Sequence, residues 1–157
     1  MAITLATSTA VISFGDVAGT FSANGLTVAV TLKVQDLTPA NARIASQWGG
    51  TPPGEQCFLI QVTNTNEIGW LVQGINGIQQ YWGVQTTVSD FAAGSTYRIV
   101  CTHRTALGGG QRSQIFVNGS EQTVASWIAQ SAILLVLQDA TTSVQVGGET
   151  AEAVSGV

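Results

Sequence analysis

The chain has 157 residues, enough for one domain spanning 1–157 whose two-layer core needs no metal or disulfide support. Hydrophobic residues make up 45% of it and charged residues only 9%, so its surface must be covered by Thr, Ser, Gln, Asn and Gly, or by other protein. A net charge of −4, with Lys33, Arg43, Arg98, Arg104 and Arg112 scattered apart from Arg98 with Arg104, argues against a nucleic-acid groove. No apolar run approaches the roughly 18 residues of a membrane span.

In chain order, the opening MAITLATSTAVISF lacks the basic and long apolar regions of a secretory signal, so synthesis and folding in a cytoplasm are expected. Residues 3–14 predict one or two short strands. LTVAVTLKV follows, with Leu26, Val28, Val30, Leu32 and Val34 facing one way and Thr27, Ala29, Thr31 and Lys33 the other, and reads as a core strand. Residues 42–48 predict a strand, and the prolines at 52 and 53 a loop, because proline cannot donate to a sheet ladder. Residues 57–63 and 67–73 form a hairpin around 64–66, and 79–87 make the next strand.

Residues 95–124 are the clearest passage. Tyr97, Ile99, Cys101 and His103 alternate with Arg98, Val100, Thr102 and Arg104, the period of a half-buried strand. A glycine run at 108–110 ends the pattern. Residues 113–117 then meet Asn118-Gly119, the dipeptide best suited to a two-residue type I′ turn, and 121–124 form a third limb. Residues 127–130 read as a loop or short 3₁₀ turn. The run 133–137 is apolar on both faces, so it belongs to a strand buried on both sides or to an interface. Residues 143–146 are the last clear strand. No helical period persists, so the expectation is an all-β antiparallel sandwich or barrel of about 10–12 strands.

Three patterns, FSANGLTVAVTLKV, then STYRIVCTHR with RSQIFVNGSEQ, then VQVGG, resemble a laminin-G-like or concanavalin-A-like jelly-roll domain. The resemblance implies a two-sheet β-sandwich and, with it, carbohydrate binding. The sequence departs from the pattern in two places. Ala29 or Thr31 stands where that family usually has a tryptophan, and Val154-Ser155-Gly156-Val157 stands where its closing strand would begin. That strand is then absent, supplied by the N-terminus, or supplied by a neighbouring chain.

The chemistry-bearing residues are few. His103 is the single histidine, and no G-x-S-x-G elbow accompanies it. No paired carboxylates lie within a strand, as glycoside hydrolysis would need, so no catalytic residue is assigned and a non-enzymatic role is expected. No cofactor is implied. Asp90, Asn118 and Asp139 are loop oxygens that could hold calcium or simply form turns. Cys57 and Cys101 are expected as free thiols: Cys101 shares the core face of its strand, and Cys57 lies opposite Phe58, Ile60 and Val62 unless a bulge intervenes. Trp48, Trp70, Tyr81 and Trp82 could stack sugar rings beside Asn64, Asn66, Asn76 and Gln80, or Trp70 and Trp82 could fill the core.

Two functional classes remain. Low charge, abundant Thr, Gln, Ala and Gly, and an unfinished edge predict a virion surface protein, such as a bacteriophage capsid decoration protein. It would partner major capsid or other virion proteins and form homo-oligomers through Ile133, Leu135, Leu137, Val154 and Val157. The alternative is a lectin-like carbohydrate-binding module using the four aromatics. Neither involves nucleic acid or membrane.

Overall fold

The computed structural model describes residues 11–13, 25–34, 42–48, 56–63, 65–75, 79–88, 91–92, 94–105, 112–128, 137 and 144–147. Among them are the strands β1 (Val11–Ser13), β2 (Gly25–Lys33), β3 (Arg43–Trp48), β4 (Gln56–Val62), β5 (Ile68–Ile75) and β6 (Gln79–Thr86). The chain continues through β7 (Thr96–Arg104), β8 (Arg112–Val117), β9 (Ser120–Glu121), β10 (Val124–Ile128) and β11 (Gln145–Gly147). They form two antiparallel sheets, a seven-stranded one in the order β1-β11-β3-β4-β5-β6-β10 and a four-stranded one in the order β2-β7-β8-β9. This is the all-β two-sheet sandwich that the alternating sequence predicts.

The core lies between the sheets because the central strands of both turn apolar alternate residues inward. The large sheet contributes Phe58, Ile60, Ile68, Trp70, Val72 and Val84, and the small one Leu26, Tyr97, Ile99, Cys101 and Ile115. β7 follows its expected alternation: Tyr97, Ile99, Cys101 and His103 are buried while Arg98 and Arg104 are exposed. β2 keeps its predicted faces but sits at a sheet edge, and Val28, Val30 and Leu32 are consequently only half-buried.

The turn at 118–119 is the tight hairpin expected. Asn118 and Gly119 both take positive φ, 51° and 86°, as a type I′ turn requires, and Val117 pairs directly with Ser120. Arg98 then holds the turn from the neighbouring strand: its N–H donates to Asn118 Oδ1 at 2.9 Å, and Asn118 N–H donates to its carbonyl at 2.8 Å.

Beyond the turn the structure departs from the sequence expectation. The limb at 121–124 is cut short after Glu121, and β10 crosses to the large sheet to pair with β6. Residues 127 and 128, expected in a loop or 3₁₀ turn, belong to this strand. At the opposite edge β1 pairs with β11, which pairs with β3, so a strand from the N-terminal segment flanks β11. Leu137, expected at an interface, is instead packed into the core and bridges Gly74. The other expected interface residues, Ile133, Leu135, Val154 and Val157, lie outside the described residues.

Two substitutions test this architecture. Nothing lies within 4 Å of a Cβ added at Gly119, so Gly119→Ala should cost only the backbone strain of a positive φ, about 1–2 kcal/mol, in a urea unfolding midpoint. Ile99→Ala, at a wholly buried site between the sheets, should cost about 2–5 kcal/mol in the same assay.

Candidate functional site

The outer face of the seven-stranded sheet carries a second apolar cluster, formed by Trp48, Leu59 and Leu71 with Tyr81 and Trp127 packed against them. Its composition follows from strand period. On β5, Ile68, Trp70 and Val72 face the core, which sends Gly69, Leu71 and Gln73 outward. On β6, Trp82 and Val84 pack toward the core and Tyr81 outward.

Glycine makes room for the most exposed part of the site. A methyl group at Gly69 would meet three carbons of the Trp127 six-membered ring at 2.7–2.9 Å, so the indole occupies the place a side chain would take. Plain alternation along β10, from Val124 packed against the core, brings Trp127 to this face ahead of the register shift at Ile128. Beside the ring, Gln85 pairs in register with Gly69, and its Nε2 donates to Glu67 Oε2 at 2.9 Å. The same carboxylate accepts from the hydroxyls of Thr63 and Thr65, which fix it at the hairpin between β4 and β5. Trp127, Gln85, Glu67 and Tyr81 are all half-buried, leaving an aromatic surface edged by an amide and a carboxylate.

At the other end of this face, Tyr81 and Trp48 meet with ring centroids 5.8 Å apart and planes tilted by 39°. Burial raises the Tyr81 phenol above its ordinary pKa. Trp48 is only 6% exposed, so it backs Tyr81 and offers little surface of its own. Gln73 lies opposite Tyr81 in register and is wholly buried, yet among the described residues neither atom of its amide has a hydrogen-bond partner. The Ser46 hydroxyl, also wholly buried, is likewise unpartnered. Such groups cost about 1–3 kcal/mol each.

The structure therefore separates the four aromatics singled out in the sequence. Trp48 and Tyr81 come together on the outer face, whereas Trp70 and Trp82 point into the sandwich. Trp70 is fully buried and is not available to a ligand; its indole N–H donates across the sandwich to the Thr102 carbonyl at 3.2 Å. Trp82 packs toward the core and lies 6.5 Å from the His103 ring. Of the neighbouring amides expected, Asn66 is a half-buried turn residue with φ 62°, while Asn64, Asn76 and the Gln80 side chain lie outside the described residues. Trp127 escaped the sequence reading because Gln122-Thr123 and small flanking residues obscure its strand; the pattern Val-Ala-Ser-Trp-Ile was the available signal.

His103 is buried, and its Nδ1 lies 2.8 Å from the Ser113 hydroxyl while Nε2 has no partner. Burial lowers its pKa from 6.5 to about 4, so the ring is neutral over most of the accessible pH range. Among the described residues no carboxylate is hydrogen-bonded to this Ser–His pair. Asn118 spends its side-chain oxygen on the Arg98 N–H, and Asp90 and Asp139 lie outside the described residues. Among the described residues no three His, Cys, Asp or Glu side chains converge as metal ligands. Cys57 and Cys101 are both buried and are not joined to each other in a disulfide. Burial pushes the Cys101 thiol far up. Cys57 joins the core because β3 and β4 slip register between Gln47 and Trp48, the bulge on which its placement depended. Among the described residues no helix is long and apolar enough to cross a membrane.

No protein-family model and no curated protein matches the chain. Solved structures that resemble it include the following two. The CBM40 of the Ruminococcus gnavus IT-sialidase bound to alpha2,6 sialyllactose is 14% identical with a TM-score of 0.45, over 81% of this chain and 66% of that one. The receptor binding domain of botulinum neurotoxin type G is 12% identical with a TM-score of 0.36, over 77% of this chain and 31% of that one. The chain thus spans less than two thirds of either.

Two measurements check the site's physical basis. Gly69→Ala should displace the Trp127 ring, red-shift tryptophan fluorescence and lower stability by about 1–3 kcal/mol, as overpacking does. For His103 the folded pKa lies below the unfolded one, so its contribution is complete above pH 6.5 and is lost as pH falls toward 4. Thermal unfolding should show a loss of about 2–3 kcal/mol across that window, and His103→Leu should flatten it.

Proposed function

We propose that the protein is a carbohydrate-binding, lectin-like module, and that the outer face of its seven-stranded sheet takes neutral saccharide. The observation that carries this reading is the half-buried Trp127 ring over Gly69 beside the Gln85–Glu67 pair. A pyranose presents C–H groups on one face and hydroxyls around its rim. An indole accepts the first by stacking, and an adjacent amide and carboxylate accept and donate to the second. Tyr81 extends the aromatic surface, with Trp48 behind it.

The aromatic face favours this reading over the virion-decoration role expected from composition, to which no described surface adds support. The role is one of binding and holding, with the sandwich as a rigid support for side chains on strands.

A glycan array followed by calorimetry tests the proposal. The native protein should bind a subset of neutral saccharides, and Trp127→Ala and Tyr81→Ala should each weaken binding by roughly tenfold, in keeping with about 1–2 kcal/mol for a lost aromatic contact, while circular dichroism stays unchanged. A blank array, or Trp127→Ala binding as tightly as the native chain, would refute it.

A further inference from the structure

The opposite face of the sandwich has a different character. The outward residues of β2, β7 and β8 bring Lys33, Arg98, Arg104 and Arg112 onto one exposed surface, four of the five basic residues of a chain whose net charge is −4. Among the described residues the sole carboxylate on this surface is Glu121, and it is already engaged. Arg112 Nη2 lies 3.1 Å from its Oε1, and Gln114 Nε2 donates to the same oxygen at 2.7 Å. The Gln114 hydrogen bond lowers the Glu121 pKa, opposed by desolvation and assisted by Arg112. Among the described residues, no carboxylate pairs with Lys33, Arg98 or Arg104 on this face.

Their arrangement is linear. Arg98 and Arg104 lie six residues apart on β7, about 20 Å at the usual rise per residue. Lys33 sits diagonally beside Arg98, because Thr31 pairs with Arg98 and Lys33 with Thr96. Between the charged ends runs an apolar rung, Ala29–Val100–Phe116, followed by the hydroxyl and amide rung Thr27–Thr102–Gln114. Next to Arg98, a shallow hollow of about 570 Å³ is lined by Val100, Phe116, Asn118 and Gly119, and the Asn118 side chain is fixed there by its bond to the Arg98 backbone.

We propose that this face binds a carboxylate-bearing polysaccharide laid along β7, with one acidic sugar in the hollow at Arg98 and a later one at Arg104. Guanidinium groups match carboxylates in a fork geometry, the Phe116 ring offers a stacking surface to a pyranose, and the threonine hydroxyls and Gln114 face sugar hydroxyls. Four basic residues on this face are too few for nucleic acid, whose binding draws on about 6–10 phosphate contacts. An acidic peptide would leave the hydroxyl rung and the ring without partners of matching shape. The site lies on the other sheet from the aromatic face, so the two readings stand or fall separately.

Retention on immobilised polygalacturonate, with dextran and polyglutamate as comparison surfaces, tests the inference. The native chain should be retained on polygalacturonate at low ionic strength and released as salt rises, because the contact is between exposed charges. The exposed double substitution Arg98→Gln with Lys33→Gln should weaken retention by roughly tenfold or more, and Trp127→Ala should leave it unchanged. Absence of retention, equal retention of the double variant, or equally strong capture by polyglutamate would overturn the assignment.

Discussion

The hydrogen bond from the Trp70 indole to the Thr102 carbonyl joins the two sheets through the middle of the sandwich. Trp70 is entirely buried, and an indole N–H in that position needs an acceptor. The acceptor lies on β7, the strand between β2 and β8, so the contact orients β5 against the small sheet as well as filling the core. Phe58 packs at 6.1 Å on its other side. Because strand side chains alternate, turning Trp70 inward sends Gly69, Leu71 and Gln73 outward. The hollow that receives Trp127 is therefore a consequence of the same residue that anchors the core.

Irregularities in the ladders complete the aromatic face. β3 shifts register against β4 on both sides of its centre, between Arg43 and Ala45 and between Gln47 and Trp48, and β10 shifts against β6 before Ile128. A one-residue shift moves a side chain to the other face. Trp48 accordingly reaches the outer cluster and Cys57 joins the core, while Trp127 reaches that cluster by plain alternation from Val124. Local rules are broken most visibly here, with wholly buried Gln73 and Ser46 left unpartnered beside the aromatic rings. Such violations are expected where a surface is shaped for a ligand as well as for stability.

The two outer faces differ because their strands spend alternate positions differently. On the large sheet those positions are aromatic, aliphatic, amide or glycine, a surface suited to stacking. On the small sheet they are threonine, lysine and arginine, with one apolar rung at Ala29, Val100 and Phe116. The cations of that face fall in two pairs, Lys33 beside Arg98 and Arg104 opposite Arg112, at opposite ends of β7.

Alternation and turn chemistry made much of the fold legible in advance. The faces of β2 and β7, the type I′ turn at Asn118-Gly119 and the all-β sandwich follow from period-two patterning and from residues that tolerate positive φ, both properties of a few neighbours in sequence. The fate of Trp70 could not be read that way, since filling the core and stacking a sugar ask for the same residue. Nor could the switch of β10 between sheets, the bulges that turn Trp48 outward and Cys57 inward, or the gathering of Lys33 with Arg98 and Arg104. Those depend on which strands become neighbours, and strand pairing is settled by long-range packing of whole faces.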